Sequence, residues 1–83
     1  MFDESIDRYA WTVMKDTSRI HLNVLRALYG MRYTSPEDRK HIMDTADEQY
    51  RRLMSIDRKK VSHETHANLL RQCQLLGLHC KPS

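Results

Sequence analysis

Ile6, Ala10, Val13, Thr17, Ile20, Val24, Ala27 and Met31 recur at alternating steps of four and three. That is the spacing of a heptad seam, and it predicts one long helix over most of residues 3 to 29. A second row, Trp11, Met14, Leu22, Leu25 and Tyr29, projects about 120° away when each residue turns the helix by roughly 100°. Two apolar faces call for two partners. The remaining third holds Arg8, Thr12, Lys15, Arg19, Asn23 and Arg26, with Asp16 the one acid at its margin. This face is expected to stay hydrated and basic.

The helix has clear ends. Asp3 or Ser5 can accept hydrogen bonds from the free N–H groups of the first turn, and Asp3, Glu4 and Asp7 suit its positive end. Gly30 can take the left-handed position that closes the helix, which lets Met31 fold back on Leu25. A second helix is expected to begin at Ser35-Pro36-Glu37-Asp38, with Ser35 as cap, Pro36 at the first helical position and the acids in the first turn. Ile42, Met43, Ala46, Tyr50, Leu53 and Met54 form its apolar stripe, and the short connection predicts an antiparallel neighbour of the first helix. Asp57-Arg58-Lys59-Lys60 reads as a charged connector without an apolar period. Ser62 caps a third helix whose buried side is Ala67, Leu69, Leu70, Cys73, Leu75 and Leu76. Gly77 closes it as Gly30 closes the first, with Leu78 turned back toward Cys73.

These signals predict an all-α fold. Three helices, at about 4 to 29, 36 to 56 and 63 to 76, pack as an antiparallel bundle with the first as its spine. Residues 1 to 78 are read as a single helical domain and 79 to 83 as a flexible C-terminal tail. With 83 residues, only two Gly and two Pro, and 30% charged residues, the chain has room for one modest core. It holds 14 basic and 11 acidic residues, for a net charge of +3, and the surplus is concentrated in its middle. Residues 18 to 60 carry ten basic and six acidic groups. An anionic partner is compatible with that balance but is not required by it.

Two cysteines, Cys73 and Cys80, are too few for the disulfide framework of a small secreted domain. The acidic start Met1-Phe2-Asp3-Glu4-Ser5 lacks the basic and apolar regions of a signal peptide. No apolar run approaches the roughly 20 residues that cross a bilayer. The expected location is cytoplasmic, with no membrane partner. A reducing compartment disfavours a Cys73–Cys80 bridge, although the Gly77 turn permits one sterically, so Cys73 is expected to be an inert buried thiol.

Metal and catalytic chemistry fare poorly on spacing. His63, His66, Cys73 and Cys80 are zinc-ligand types, but His66 and Cys73 lie about 10.5 Å apart along one helix. Only His63 with His66, or Cys73 with Cys80, could chelate as a pair, and no metal or other cofactor is expected. His79 beside Cys80 is the one adjacent base and thiol, placed in a tail that cannot preorganise a reaction. Asp44, Asp47 and Glu48 read as a solvated face, since Asp47 with Arg51 and Glu48 with Arg52 are i, i+4 ion pairs. There is no glycine-rich phosphate loop. The chain is not expected to be an enzyme.

Two surfaces are left for function. Trp11, Met14, Arg19, Arg26 and Tyr29 combine aromatic, Met and Arg side chains of the kind that dominate protein interfaces. Unless the third helix covers this row, it is expected to dock a larger protein with an acidic or mixed surface, or to form a homodimer. The leading expectation is therefore a small non-catalytic regulator or inhibitor that works by docking. Arg51, Arg52, Arg58, Lys59 and Lys60 form the second candidate, a cationic cluster that could contact the phosphates of RNA or DNA. Asp44-Thr45-Ala46-Asp47-Glu48-Gln49-Tyr50-Arg51 resembles part of the second helix of Rop, the plasmid-encoded helical hairpin. That resemblance implies a dimer that binds paired RNA loops. The third helix and the long first helix depart from the hairpin, and its RNA-contacting surface has no residue-by-residue match here.

Overall fold

A computed structural model describes residues 1–30 and 35–78. It contains three α-helices, α1 (Glu4–Leu28), α2 (Pro36–Ser55) and α3 (His63–Leu75), with a 3-10 turn at Arg58–Lys60 between the last two. No strand occurs among the described residues. The all-helical expectation therefore holds, with helix limits close to those read from the caps.

Each cap has a visible cause. The Asp3 carboxylate accepts from the backbone N–H groups of Ser5 and Ile6, so Asp3 rather than Ser5 starts α1. Ser62 accepts from the N–H of Thr65 at the start of α3. Ser35 occupies the expected cap position of α2, but its side chain makes no capping bond, and Pro36 follows it. Gly30 and Gly77 have positive φ, at 67° and 70°. Beyond α3 the N–H of Leu78 donates to Cys73 O at 2.9 Å and that of Gly77 to Gln74 O at 3.1 Å, a Schellman ending. Leu78 packs against the core, as expected. The fold-back expected of Met31 and the tail at 79 to 83 lie outside the described residues.

The α1 seam is buried as its periodicity requires. Ala10, Val13, Thr17, Val24 and Ala27 are inside, with Ile6 and Ile20 half-buried. Opposite it, α2 buries Ala46, Gln49 and Leu53, and Ile56 extends the same 4-3-4-3 register from Ile42. This corrects the expected stripe: Met43 and Met54 are exposed, Tyr50 is half-buried, and Gln49 takes the central position. The amide is tolerated because Gln49 Nε2 donates to Thr17 Oγ1 at 3.2 Å and to Val13 O at 3.3 Å. A buried amide with both contacts made loses little relative to water.

On α3 the inward row is Thr65, Leu69 and Cys73, followed by Leu76. Ala67 and Leu75, expected inside, are exposed. Leu75 is displaced from Leu69 by six residues, or about 240° of rotation, so it projects away from that row. The connector is more ordered than its charge suggests. Asp57 caps the 3-10 turn by accepting from Lys59 N–H, and Lys60 O accepts from Asp3 N–H at 2.7 Å, tying the turn to the foot of α1.

Cys73 is disulfide-bonded, not the inert thiol expected. The chain's other cysteine, Cys80, is outside the described residues.

The bonds from α1 to α3 ascend together. Asp7 meets Ser62, Trp11 meets Thr65, and Met14 and Ser18 meet Gln72. Toward α2 the order descends, from Gln49 at Val13 and Thr17 to the small cleft where Ile20 and Asn23 face His41, Ile42 and Thr45. The central core cluster gathers Ala10, Val13, Met14, Leu53, Ile56, Leu69 and Cys73. All its α1 members come from the N-terminal half of that helix.

Candidate functional site

Because α3 bonds to α1 between Asp7 and Ser18, the second row of α1 meets two environments. Near its start Met14 is buried, while Trp11 is 43% exposed. Farther along, Leu22 is 48% exposed and Tyr29 76%, with Leu25 and Leu28 also open. Trp11, Met14, Ser18, Leu22, Leu25 and Tyr29 fall within an arc of about 80° at 100° per residue. They form one continuous face.

At the α3 end this face opens into a groove of about 640 Å³. Trp11, Met14 and Leu75 supply its apolar surface, Lys15 and Arg71 its cations, and Thr12, Ser18, Asn68 and Gln72 its neutral polar groups. Gln72 Nε2 holds the groove together by donating to Met14 O and Ser18 Oγ, both at 2.9 Å. Trp11 is fixed by its Nε1–H, which donates to Thr65 Oγ1 at 2.9 Å. The indole thus presents a positioned apolar edge, which lowers the entropy lost on binding.

Below Trp11, Asp7 Oδ1 accepts from Ser62 N–H at 2.9 Å. That backbone bond, followed by the Thr65 side-chain bond, holds the Asp7 carboxyl below its ordinary 3.8. On the other side of α1, Tyr50 Oη lies 2.9 Å from His21 Nδ1. Burial pushes the Tyr50 phenol above its ordinary 10.0. Both interactions join helices and neither enters the groove.

The cations along the face are notable for their neighbours. Lys15, Arg19 and Arg26 follow one edge of the row, within about 40° of one another, and make no ion pair among the described residues. Arg71 is likewise unpaired across the groove. Arg8 on the same edge is held by Glu4 at 2.7 Å.

Of the five interface residues expected from sequence, Trp11, Met14 and Tyr29 lie on the row and Arg19 and Arg26 along its edge, with different exposures. Trp11, Arg19 and Tyr29 are exposed, Arg26 is half-buried, and Met14 is a floor residue. The second cationic set is less concentrated. Arg51 pairs with Asp47 at 3.0 Å and Arg52 with Glu48 at 2.9 Å, as their spacing predicts. Arg58 is half-buried, while Lys59 and Lys60 are exposed on the 3-10 turn. The set is divided between the end of α2 and that turn.

The α3 wall, Asn68, Arg71, Gln72 and Leu75, was not legible as part of a site. A helical wheel separates Leu75 from Leu69 and Cys73, but only the packed structure brings it opposite Trp11. Among the described residues no three His, Cys, Asp or Glu side chains gather as metal ligands would, and no helix is long and apolar enough to cross a membrane. Comparison with protein families, curated proteins and solved structures gives no match.

Proposed function

We propose that this chain is a small non-catalytic regulator or inhibitor that acts by docking α1 onto a larger protein. Its frame is an antiparallel three-helix bundle with α1 as spine. The observation that carries the reading is the uncovered half of that spine: Leu22, Leu25 and Tyr29 stay exposed on one face although the seam behind them is packed. Apolar side chains aligned with a groove favour association by removing area from water. The adjoining cations speed encounter with an acidic surface.

The reading keeps the chain in the cytoplasm without a membrane partner, a location that the Cys73 disulfide opposes. A reducing compartment opens disulfides of ordinary stability, so this placement predicts that Cys73 is alkylated in protein quenched directly from cells.

Recovery of the tagged chain from its native host, alongside Leu22→Asp/Leu25→Asp, tests the docking reading. A stoichiometric protein retained through a high-salt wash by the natural chain and lost by the variant supports it. The alternative is a basic helical RNA- or DNA-binding regulator, Rop-like in style, and exposed Lys59 and Lys60 favour it. Nuclease-sensitive material released by salt and lost on Lys59→Ala/Lys60→Ala would establish that alternative. Recovery of neither would remove both.

A further inference from the structure

We propose that the α1 face receives one amphipathic α-helix of about five turns with acidic flanks, its largest apolar side chain seated between Trp11 and Leu75. This rests on the docking reading and specifies the partner's chemistry. The row from Trp11 to Tyr29 spans 18 residue steps, or about 27 Å at 1.5 Å per residue. A straight apolar row of that length matches the seam of another helix. An extended peptide has less to gain, because the interior backbone groups of α1 are bonded within the helix and offer no sheet edge.

Charge selects the sign of the partner's flanks. Lys15 and Arg71 border the groove, while Arg19 and Arg26 follow the rest of the row, and none has an ion-pair partner among the described residues. The acids of α1 do not compensate them. Glu4 is paired with Arg8, Asp7 is bonded to Ser62, and Asp16, three residues before Arg19, makes no ion pair among the described residues. A partner with Glu or Asp beside its apolar seam therefore gains at several positions, whereas basic flanks meet repulsion. A second copy brings the same unpaired cations, and of the acids exposed on its α2, Asp47 and Glu48 are already held by Arg51 and Arg52. Nucleic acid would satisfy the cations while leaving Leu22 and Leu25 against a charged polymer.

The test uses the full chain and three labelled 18-residue helical peptides with the same Leu seam, flanked by Glu, Gln or Lys. Anisotropy should give the Glu peptide at least tenfold higher affinity than the Gln peptide, with the Lys peptide weakest. Lys15→Glu/Arg19→Glu should reverse that order. Leu22→Asp should weaken the Glu peptide at least tenfold while leaving the helical circular dichroism unchanged. Trp11 is the only tryptophan, so its emission should shift to the blue as the groove fills.

Equal affinity for the three peptides would overturn the acidic helix. So would a concentration-dependent doubling of mass abolished by Leu22→Asp, which identifies a second copy, or RNA binding without peptide preference. If a host protein still depends on Leu22 and Leu25 in those cases, docking stands and only the partner's chemistry fails. If no peptide binds and no host protein is retained, both readings fail.

Discussion

From Ile6 to Thr17, α1 is held on two sides: Gln49 of α2 bonds to Val13 and Thr17, and Gln72 of α3 bonds to Met14. From Leu22 to Tyr29 the seam is still buried through Val24 and Ala27, but the second row is open. The heptad repeat is the same in both halves. What differs is the reach of α3, whose 13 residues cover only about 20 Å. Burial of an apolar row is therefore decided by the length of its neighbour as much as by its own pattern, and the uncovered half is where binding can occur without dismantling the core.

Truncation should separate the two halves most strongly. Leu69→Ala removes a fully buried side chain beneath α1 and should cost about 2–5 kcal/mol in urea unfolding. Leu22→Ala, on the open row, should change stability by less than about 0.5 kcal/mol. Similar losses at both positions would break the comparison, since Leu22 would then have to be covered in solution.

Gln49 sharpens it at the boundary. Gln49→Ala should lose about 1–3 kcal/mol, from two hydrogen bonds and the space vacated beside Thr17. Gln49→Leu should be nearly neutral by the same unfolding measurement, because Thr17 Oγ1 still donates to Val13 O at 2.7 Å and apolar volume replaces the amide. A large loss for Gln49→Leu would mean that the amide itself fixes how α1 and α2 meet.

That residue also marks the limit of reading this fold from sequence. The α1 seam was legible because seven positions repeat one geometric interval within a single helix, and Gly30 and Gly77 announced the turns that their positive φ requires. Gln49 was not, because hydropathy favours its neighbour Tyr50 and only Thr17 on another helix makes a buried amide acceptable. Leu75 failed in the opposite direction: its hydrophobicity suggested burial, while its angle placed it on the groove wall. Trp11, Arg19, Arg26 and Tyr29 could be assigned to neighbouring strips of α1 by angle alone. The groove could not, since it depends on where α3 lies against α1. Cys73 was expected to be an inert thiol because a reducing compartment disfavours disulfides, and it is disulfide-bonded.

Trp11 lies between the packed and open halves, and Trp11→Phe isolates its polar anchor. Phe retains most of the apolar surface but loses the Nε1–H donated to Thr65 Oγ1, while Thr65 Oγ1 keeps Ser62 Oγ at 2.8 Å. A loss of about 0.5–1.5 kcal/mol is expected, read from the shift in urea midpoint. No loss would show that α3 holds its place without this bond.

The smallest effect is expected at the foot of the packed half and only in acid. Asp7 is held below its ordinary value chiefly by the Ser62 N–H, whereas in the unfolded chain an Asp titrates near about 3.9. The unfolded state therefore binds the proton more readily, so the Asp7 contribution is complete above about pH 4 and is lost as pH falls through the lower folded value. Urea midpoints measured from pH 7 to pH 2.5 should show the natural chain converging on Asp7→Asn as acid removes the carboxylate. Because Ser62 caps α3, the amide protection factors in that helix's first turn should fall with acid before those in α2 do. A constant difference between the two chains across this range would remove Asp7 as the link between α3 and the foot of α1, leaving Trp11 and Gln72 to hold the covered half together.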